Sequence, residues 1–256
     1  MGVAARGPAY NNHYIAQLYR INIDSGVATS ILKPGMQIAT PRWSPDGKQI
    51  AFIGGLMAGF GPGRSGGGDV YVMPADGGRA RDITPQMKAT AWHLIWLSPH
   101  QILFWETVFG DTGLAEVDLE GGRIEQLWRS SAAGGSLGSF SVARDGKTTA
   151  ESLSSFDRPP EVWAGPIGAW KQITNLNEGI RPNWGKVESL EWPSDGWQVQ
   201  GWLYYPANYD PHRRYPMIVD IHGGPTGTVV PVWGGGDPPM ADAAYSVAGY
   251  FVLVPN

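Results

Sequence analysis

Short runs of alternating apolar and polar residues recur along most of the chain. The segment from Val70 to Gly78 (VYVMPADGG) shows the pattern, with a strand-like run followed by an acidic, glycine-containing turn. A short strand followed by an acidic or Gly turn also occurs in three other segments: Leu18 to Gly26, Leu114 to Gly122 and Val162 to Trp170. Alternation with a period of two, bounded by Gly, Pro or Asp, indicates half-buried strands and tight turns. The pattern therefore predicts a mostly β chain.

These segments are regularly spaced, with starts that lie 52, 44 and 48 residues apart. A second motif, Pro41 to Phe52 (PRWSPDGKQIAF), is interleaved with them and returns in weaker form at Ile95 to Phe104 and Ser141 to Glu151. A period of roughly 45 residues with several strands in each unit is typical of a β-propeller, in which each unit forms one blade. The spacing predicts a partial β-propeller of about four blades before residue 185. The alternative is a β-sandwich whose strands are similar by accident.

The pattern changes after Gly185. Two alternating segments, Lys186 to Trp192 and Trp197 to Tyr205, are joined by an Asp-Gly turn and predict an antiparallel hairpin. There follow an apolar strand (Met217 to Ile221), a loop (residues 226–238), a helix (Met240 to Gly249) and a second apolar strand (Tyr250 to Val254). This order predicts the start of an α/β-hydrolase sheet. The predicted domains are residues 1–185, the propeller blades, and residues 186–256, the N-terminal portion of a hydrolase domain.

The composition supports many short strands and limits the kinds of partner. The 256 residues include 36 Gly and 21 Pro, and 42% are hydrophobic, which suits turns around a buried core. A net charge of −4 gives no basic surface for nucleic acid or an anionic membrane. The chain has no Cys, no P-loop or zinc-helix pattern and no apolar run near the roughly 20 residues of a membrane span. No cofactor, metal, nucleic-acid or membrane partner is therefore predicted.

The candidate chemistry lies where the apolar strand after the hairpin ends. The sequence there is YPMIVDIHGGP, so that the strand is followed directly by His222, Gly223 and Gly224. Two glycines after a buried strand let the backbone turn sharply and leave amide N–H groups uncovered. Such amides can stabilise a developing oxyanion, as the HGG-type loop of α/β-hydrolases does. We expect oxyanion-hole donors here, with Asp220 as a structural hydrogen-bonding residue and His222 either catalytic or fixing the turn.

Three other motif matches lack the structure that their chemistry needs. Residues 61–66 match G-x-G-x-x-G, but a turn and a strand follow in place of the helix that binds a pyrophosphate. Ser65 and Ser136 each lie in a G-x-S-x-G match, but neither is followed by the helix of a nucleophile elbow. These segments are interpreted as loops, so that no catalytic nucleophile is assigned.

Two segments carry a resemblance to a known family. Arg158 to Trp163 (RPPEVW) and residues 186–225, which end in HGGP, resemble serine peptidases of the prolyl oligopeptidase family, most of all its acylaminoacyl-peptidase and dipeptidyl-peptidase branches. The resemblance implies a propeller of seven or eight blades before an α/β-hydrolase domain, so that blades are missing at the front. It also implies that the Gly224 amide is an oxyanion donor. Dipeptidyl-peptidase relatives have Tyr at the position of His222, and His favours the acylaminoacyl-like arrangement.

The resemblance implies a serine-type peptidase that cleaves short peptides by acyl transfer, with a triad of Ser, Asp and His beyond the last strand. The chain is then a fragment, expected to be inactive alone. Two alternatives stay open: a non-catalytic propeller that binds peptides or proteins, and a lipase- or carboxylesterase-like hydrolase.

The sequence also gives expectations for aggregation, location and assembly. The strand at residues 251–254 is expected to lack its next neighbour, which would favour aggregation. The start of the chain shows no signal peptide, which favours a cytoplasmic location. The sequence is compatible with a homo-oligomer, and it leaves open substrate preference and exo- versus endopeptidase action.

Overall fold

A computed structural model describes residues 2–6, 16–32, 37–57, 67–135, 140–222, 228–234 and 241–256. Over these residues the chain is mostly β, with 20 strands and one helix, as the alternating pattern predicts. In this part of the chain, no helix has the length and apolar character needed to cross a membrane. Contacts divide the molecule into two compact units, Met1–Thr107 with Gly113–Trp128 and Val108–Thr112 with Arg129–Asn256.

The first eleven strands form antiparallel sheets in which neighbours in sequence are neighbours in space. They are β1 (Gly2–Arg6), β2 (Ala16–Ile21), β3 (Ala28–Leu32), β4 (Gln37–Trp43), β5 (Gln49–Met57), β6 (Gly67–Pro74), β7 (Arg81–Asp82), β8 (Thr90–Ser98), β9 (Gln101–Val108), β10 (Asp111–Asp118) and β11 (Ile124–Ser130). Strands β1 to β3 form one sheet. Strands β4 to β7 and β8 to β11 form two four-stranded groups, joined between β6 and β8 by a single residue pair, Gly68 with Ala91.

The D-G-K motifs form hairpin turns with the same local bonding. The carboxylates of Asp46 and Asp145 each accept the backbone N–H two residues later, at 3.1 and 2.9 Å. The glycines that follow them have φ of 71° and 67°, the left-handed conformation that favours glycine. Hydrogen bonds hold the pKa of both carboxyls below its usual value, chiefly from the Ser44 hydroxyl for Asp46 and the Thr148 hydroxyl for Asp145. The repeat seen in the sequence is therefore a repeat of turn structure.

Strand β5 shows how the repeated sheets pack in the first unit. Ile50 and Phe52 point to one side, and Ala51 and Ile53 point to the other, and all four are buried. The first pair joins a core cluster with Leu18, Ile31, Ile38, Met73 and Ala75. The second pair joins a cluster with Val70, Val72, Ile83, Leu94, Trp96, Ile102 and Phe104, among others. Both faces of the sheet β4–β7 are thus buried, which requires apolar residues at successive positions along the strand.

The second unit contains a sheet of short strands and a mixed sheet. The short strands are β12 (Gly134–Gly135), β13 (Ser141–Val142), β14 (Thr149–Ser154), β15 (Glu161–Gly165) and β16 (Lys171–Gln172), in the order β12-β14-β15-β16 with β13 also paired to β14. The mixed sheet comprises β17 (Val187–Ser194), β18 (Trp197–Tyr204), β19 (Met217–Val219) and β20 (Phe251–Pro255). Helix α1 (Ala241–Val247) connects β19 to β20.

The mixed sheet corrects one expectation from the sequence. Its order is β17-β18-β20-β19, so that β20 pairs antiparallel with β18 on one side and parallel with β19 on the other. The expectation that the strand at residues 251–254 lacks a neighbour is therefore wrong. The crossover through α1 places β20 inside the sheet and leaves β19 at its edge. The predicted hairpin is confirmed, with Val187 to Ser194 paired to Tyr204 to Trp197.

The core of the second unit draws on both of its sheets. Phe156, which follows β14, lies 4.9 Å from Trp202 of β18, measured between ring centroids. Trp184 donates its indole N–H to the carbonyl of Phe156 at 3.0 Å. The same cluster contains Tyr204, Val229, Ala243, Val252 and Val254. The short-stranded sheet and the mixed sheet thus share one core, and the predicted domain boundary after residue 185 stays a prediction.

Candidate functional site

The predicted oxyanion turn begins at the carboxyl end of β19. Ile218 pairs with Val252 of the parallel strand β20, and the backbone N–H of Asp220 extends the ladder to the carbonyl of Leu253 at 2.9 Å. The chain then leaves the sheet at Ile221, whose side chain is 75% exposed. Parallel strands bring their carboxyl ends to one edge, and ligands of open α/β sheets bind outside that edge. This edge is therefore the candidate site.

The predicted oxyanion-hole donors lie where the described segment 140–222 ends. His222 is half-buried directly after Ile221. Gly223 and Gly224 lie outside the described residues, as do Ser65 and Ser136 of the two dismissed elbow motifs. The oxyanion role of the Gly224 amide, and the roles of Gly223 and His222, therefore stay predictions.

Asn256, at the end of β20, anchors the segment that follows the turn. Its side-chain amide donates to the carbonyl of Val229 at 3.0 Å and accepts the N–H of Val229 at 2.7 Å. It also donates to the side-chain oxygen of Gln200 at 2.6 Å. A carboxamide suits this position because it can donate and accept at once. The sequence analysis missed Asn256 and Gln200, because nothing in the strand pattern marks a polar residue as buried.

Gln200 is the buried centre of this network, with 3% of its surface exposed. Its side-chain NH2 donates to the Ser189 hydroxyl at 2.9 Å and to the Gly201 carbonyl at 3.1 Å. The side-chain oxygen of Gln200 also limits what can occupy position 110. A Cβ at Gly110 would lie 2.3 Å from that oxygen, and Gly110 has a φ of 77°. Only glycine fits both the backbone conformation and the space.

The segment 228–234 is held at further points in the second unit. Trp233 lies 4.7 Å from Trp184 between ring centroids, and its backbone N–H donates to the hydroxyl of Ser154 at 3.1 Å. The carbonyl of Val229 also accepts the indole N–H of Trp202 at 2.8 Å. The described part of the predicted loop is therefore anchored to the mixed sheet and to β14, which fixes one side of the candidate site.

One carboxyl group is buried in the helix that precedes β20. Asp242, in the first turn of α1, is 0% exposed, and neither of its carboxyl oxygens has a hydrogen-bond donor among the described residues. Burial, followed by the neighbouring carboxyl of Asp220, raises the pKa of Asp242 to about 7. Tyr204 of β18 is also fully buried, and burial together with the charge of Asp242 raises the pKa of its hydroxyl. Within the described residues, no group of three or more His, Cys, Asp or Glu could hold a metal ion.

Two relatives and a solved structure that this chain resembles are peptidases. No family model matches the chain. Dipeptidyl-peptidase 5 of Porphyromonas gingivalis is 27% identical over 234 residues, which is 89% of this chain and 33% of that protein. The uncharacterized peptidase YuxL of Bacillus subtilis is 32% identical over 124 residues, 45% of this chain and 18% of that protein. The acylaminoacyl peptidase of Pyrococcus horikoshii matches in structure with a TM-score of 0.67 and 16% identity, over 100% of this chain and 37% of that one.

The chain is thus a homologue of peptidases and has the fold of part of such an enzyme. The dipeptidyl-peptidase 5 match runs along most of the chain, and the solved acylaminoacyl peptidase shares its fold throughout. The predicted resemblance to the acylaminoacyl-peptidase and dipeptidyl-peptidase branches of the prolyl oligopeptidase family is confirmed. The chain spans about a third of the length of the first of these relatives.

Proposed function

We propose that this chain is part of a serine peptidase that cleaves short peptides by acyl transfer. The turn at His222, Gly223 and Gly224 would supply backbone N–H groups to the oxyanion of the tetrahedral intermediate. The observation that carries the proposal is that the described chain leaves β19 at the carboxyl edge of the parallel pair β19 and β20 and reaches His222 directly afterwards, in a homologue of peptidases. The anchoring of residues 228–234 by Asn256 supports it, since oxyanion donors must be held in place before the reaction.

The proposal includes the architecture of the two predicted domains. Each of the groups β1–β3, β4–β7, β8–β11 and β12–β16 is an antiparallel meander of the size of a propeller blade, which supports about four blades in residues 1–185. The mixed sheet β17–β20 would be the first part of the α/β-hydrolase domain in residues 186–256. The catalytic Ser, Asp and His would follow β20 in the longer protein, and the chain alone would have no peptidase activity.

Labelling with a serine-directed fluorophosphonate tests this assignment. The 256-residue chain should not be labelled, because removing the triad leaves no activated nucleophile. The product of the longer reading frame, continued past the codon for Asn256, should be labelled at one Ser and should hydrolyse short peptide substrates. Stoichiometric labelling of this chain at Ser65 or Ser136, or no labelling of the longer product, would overturn the proposal.

A further inference from the structure

The chain contains four Asp-Gly pairs, each in a turn: Asp46–Gly47, Asp76–Gly77, Asp145–Gly146 and Asp195–Gly196. In such a pair the backbone nitrogen of the glycine can attack the side-chain carboxyl carbon of the aspartate, because glycine has no side chain to shield that nitrogen. All four aspartates are exposed, so that contact with water does not distinguish the pairs. Their hydrogen bonds do distinguish them.

In three of the pairs the glycine closes a β-turn. The backbone N–H groups of Gly47, Gly77 and Gly146 each donate to the carbonyl three residues earlier, at 2.9, 3.1 and 3.0 Å. This is the bond between the first and fourth residues of a β-turn, and the glycine is the fourth residue. The nitrogen that would attack the aspartate therefore holds the turn together, and its hydrogen bond has to break before it can react.

The carboxyl groups of the same three pairs are also bound. Each has a polar or charged partner: the Ser44 hydroxyl at 2.7 Å for Asp46, the Lys147 N–H at 2.9 Å for Asp145 and the Arg20 guanidinium for Asp76. Hydrogen bonds lower the pKa of Asp46 and Asp145, which keeps both groups ionised. These contacts restrict the rotation that an attack needs, and a carboxylate is a poorer electrophile than a carboxylic acid.

The pair Asp195–Gly196 occupies different positions in its turn. Ser194 and Trp197 pair across the hairpin of β17 and β18, so that Asp195 and Gly196 form the whole loop. Their φ angles of 47° and 82° are those of a type I′ turn. The closing bond of such a turn joins the two outer residues, and the glycine is an inner one. Among the described residues, neither the Gly196 N–H nor the Asp195 carboxyl has a hydrogen-bond partner.

We propose that Asp195–Gly196 is the Asp-Gly pair at which the folded chain forms a succinimide and then isoaspartate. The Gly196 nitrogen bonds to Cγ of Asp195 and loses its proton, and the hydroxyl of the protonated carboxyl leaves as water. A water molecule then opens the ring. Cleavage of the new N–Cγ bond restores aspartate, and cleavage between the nitrogen and the backbone carbonyl carbon gives isoaspartate. Water is the only other reactant, and the chemistry does not depend on the proposed function.

Isoaspartate would change the end of the β17–β18 hairpin. The main chain then runs through Cβ of residue 195, which adds a carbon atom to a loop that fits the twist of its two strands. We expect the pairing of Ser194 with Trp197 to loosen first, since these residues flank the loop. The product would be a substrate for a carboxyl methyltransferase that recognises isoaspartate.

Incubation of the folded chain in water enriched in oxygen-18, at pH 6 and 37 °C, tests the assignment. Each passage through the succinimide incorporates one labelled oxygen, which peptide mapping by mass spectrometry locates. Asp46, Asp76 and Asp145 should be labelled at least about fivefold more slowly than Asp195, because their turns have to open first. In guanidinium chloride all four should be labelled at similar rates. Equal labelling of the four in the folded chain, or protection of Asp195, would overturn the proposal.

Asp195→Glu is the matched control for this site. It keeps the charge and the exposed position, but its longer side chain would have to close a larger ring, which forms more slowly. The aged wild-type chain should accept methyl groups from an isoaspartyl carboxyl methyltransferase, and the aged variant should lose most of this acceptance. Equal methyl acceptance by the two aged proteins would place the isoaspartate elsewhere and contradict the proposal.

Arg20→Ala separates the effect of turn position from that of carboxyl binding. The variant removes the partner of Asp76 but leaves the Gly77 N–H bound to the Pro74 carbonyl. Labelling at Asp76 should therefore rise by less than about threefold, since an exposed ion pair contributes little. A rise to the rate of Asp195 would show that the position of the glycine in the turn does not protect it, and would overturn the reason given for the site.

Discussion

The repeated sheets β1–β11 and the second unit differ in how their polar residues are satisfied. In the repeated sheets, Asp46 sits in an exposed turn, where local hydrogen bonds lower its pKa. In the second unit, Gln200 on β18 and Asp242 on α1 are buried, and the pKa of the Asp242 carboxyl is raised. The first kind of polar residue closes a hairpin. Of the second kind, Gln200 links β18 to β17 through Ser189 and to Asn256 at the end of β20.

This difference shows where buried polar groups reduce the stability of the molecule. Burying polar groups stabilises a protein only when every group has a partner, and a half-satisfied network is destabilising. The repeated sheets also bury a carboxylate, Glu106 on β9, but it accepts a hydrogen bond from the side-chain amide of Gln126 at 2.6 Å. In the second unit, Asp242 is buried with no donor for its carboxyl oxygens among the described residues. Departures of this kind are expected at functional sites.

The largest expected effect comes from breaking the buried amide network of the mixed sheet. Gln200→Ala removes hydrogen bonds to Ser189, Gly201 and Asn256 and leaves buried groups without partners. We expect the free energy of unfolding to fall by about 2–3 kcal/mol, as is usual when buried polar partners are lost. Urea unfolding followed by tryptophan fluorescence measures this change.

Gln198→Ala is the matched control for that loss. Gln198 lies on the same strand and, two residues away, on the same face, but it is exposed. Its replacement should change the free energy of unfolding by less than about 0.5 kcal/mol. Similar losses in both variants would show that the strand, and not the buried network, carries the effect.

The comparison also explains what the sequence could predict. The repeats and the hairpins follow from local signals, such as the Asp46 turn and the alternation in β5, because each strand pairs with its neighbour in sequence. The place of β20 inside the sheet was missed, because a crossover through α1 lets a later strand pair away from the edge. The Asn256 anchor and the buried carboxyl of Asp242 were also missed. The partners of Asn256 lie far from it in sequence, and burial of a polar side chain leaves no periodic signal.

A smaller effect is expected in the turns of the short-stranded sheets. Asp145→Ala removes acceptors for the N–H groups of Lys147 and Thr148 and should lower the Tm at pH 7 by about 2 °C. Because the pKa of Asp145 is lowered in the folded state, its contribution is present above its unfolded pKa and is lost as the pH falls below it. Thermal unfolding of both proteins should therefore converge near pH 2. The raised pKa of Asp242 gives the reverse dependence, because the stability of the folded chain falls as that carboxyl ionises with rising pH. The difference in Tm between the wild-type chain and Asp242→Asn should therefore change with pH in the opposite direction, and the same direction for both aspartates would remove the contrast between the regions.

The smallest effect on stability, with a separate effect on solubility, is expected at the edge of the mixed sheet. Met217 and Val219 of β19 are 55% and 52% exposed, and among the described residues β19 pairs on one side alone, with β20. An exposed apolar edge strand invites pairing with another chain, and an edge lysine opposes it. Met217→Lys should therefore slow aggregation several-fold in light scattering, while the free energy of unfolding changes by less than about 0.5 kcal/mol.

Val27→Lys adds the same charge at an exposed residue between β2 and β3, and should slow aggregation much less, because that loop offers no strand edge. Equal protection by both lysines would mean that net charge, and not the β19 edge, controls association of the chain.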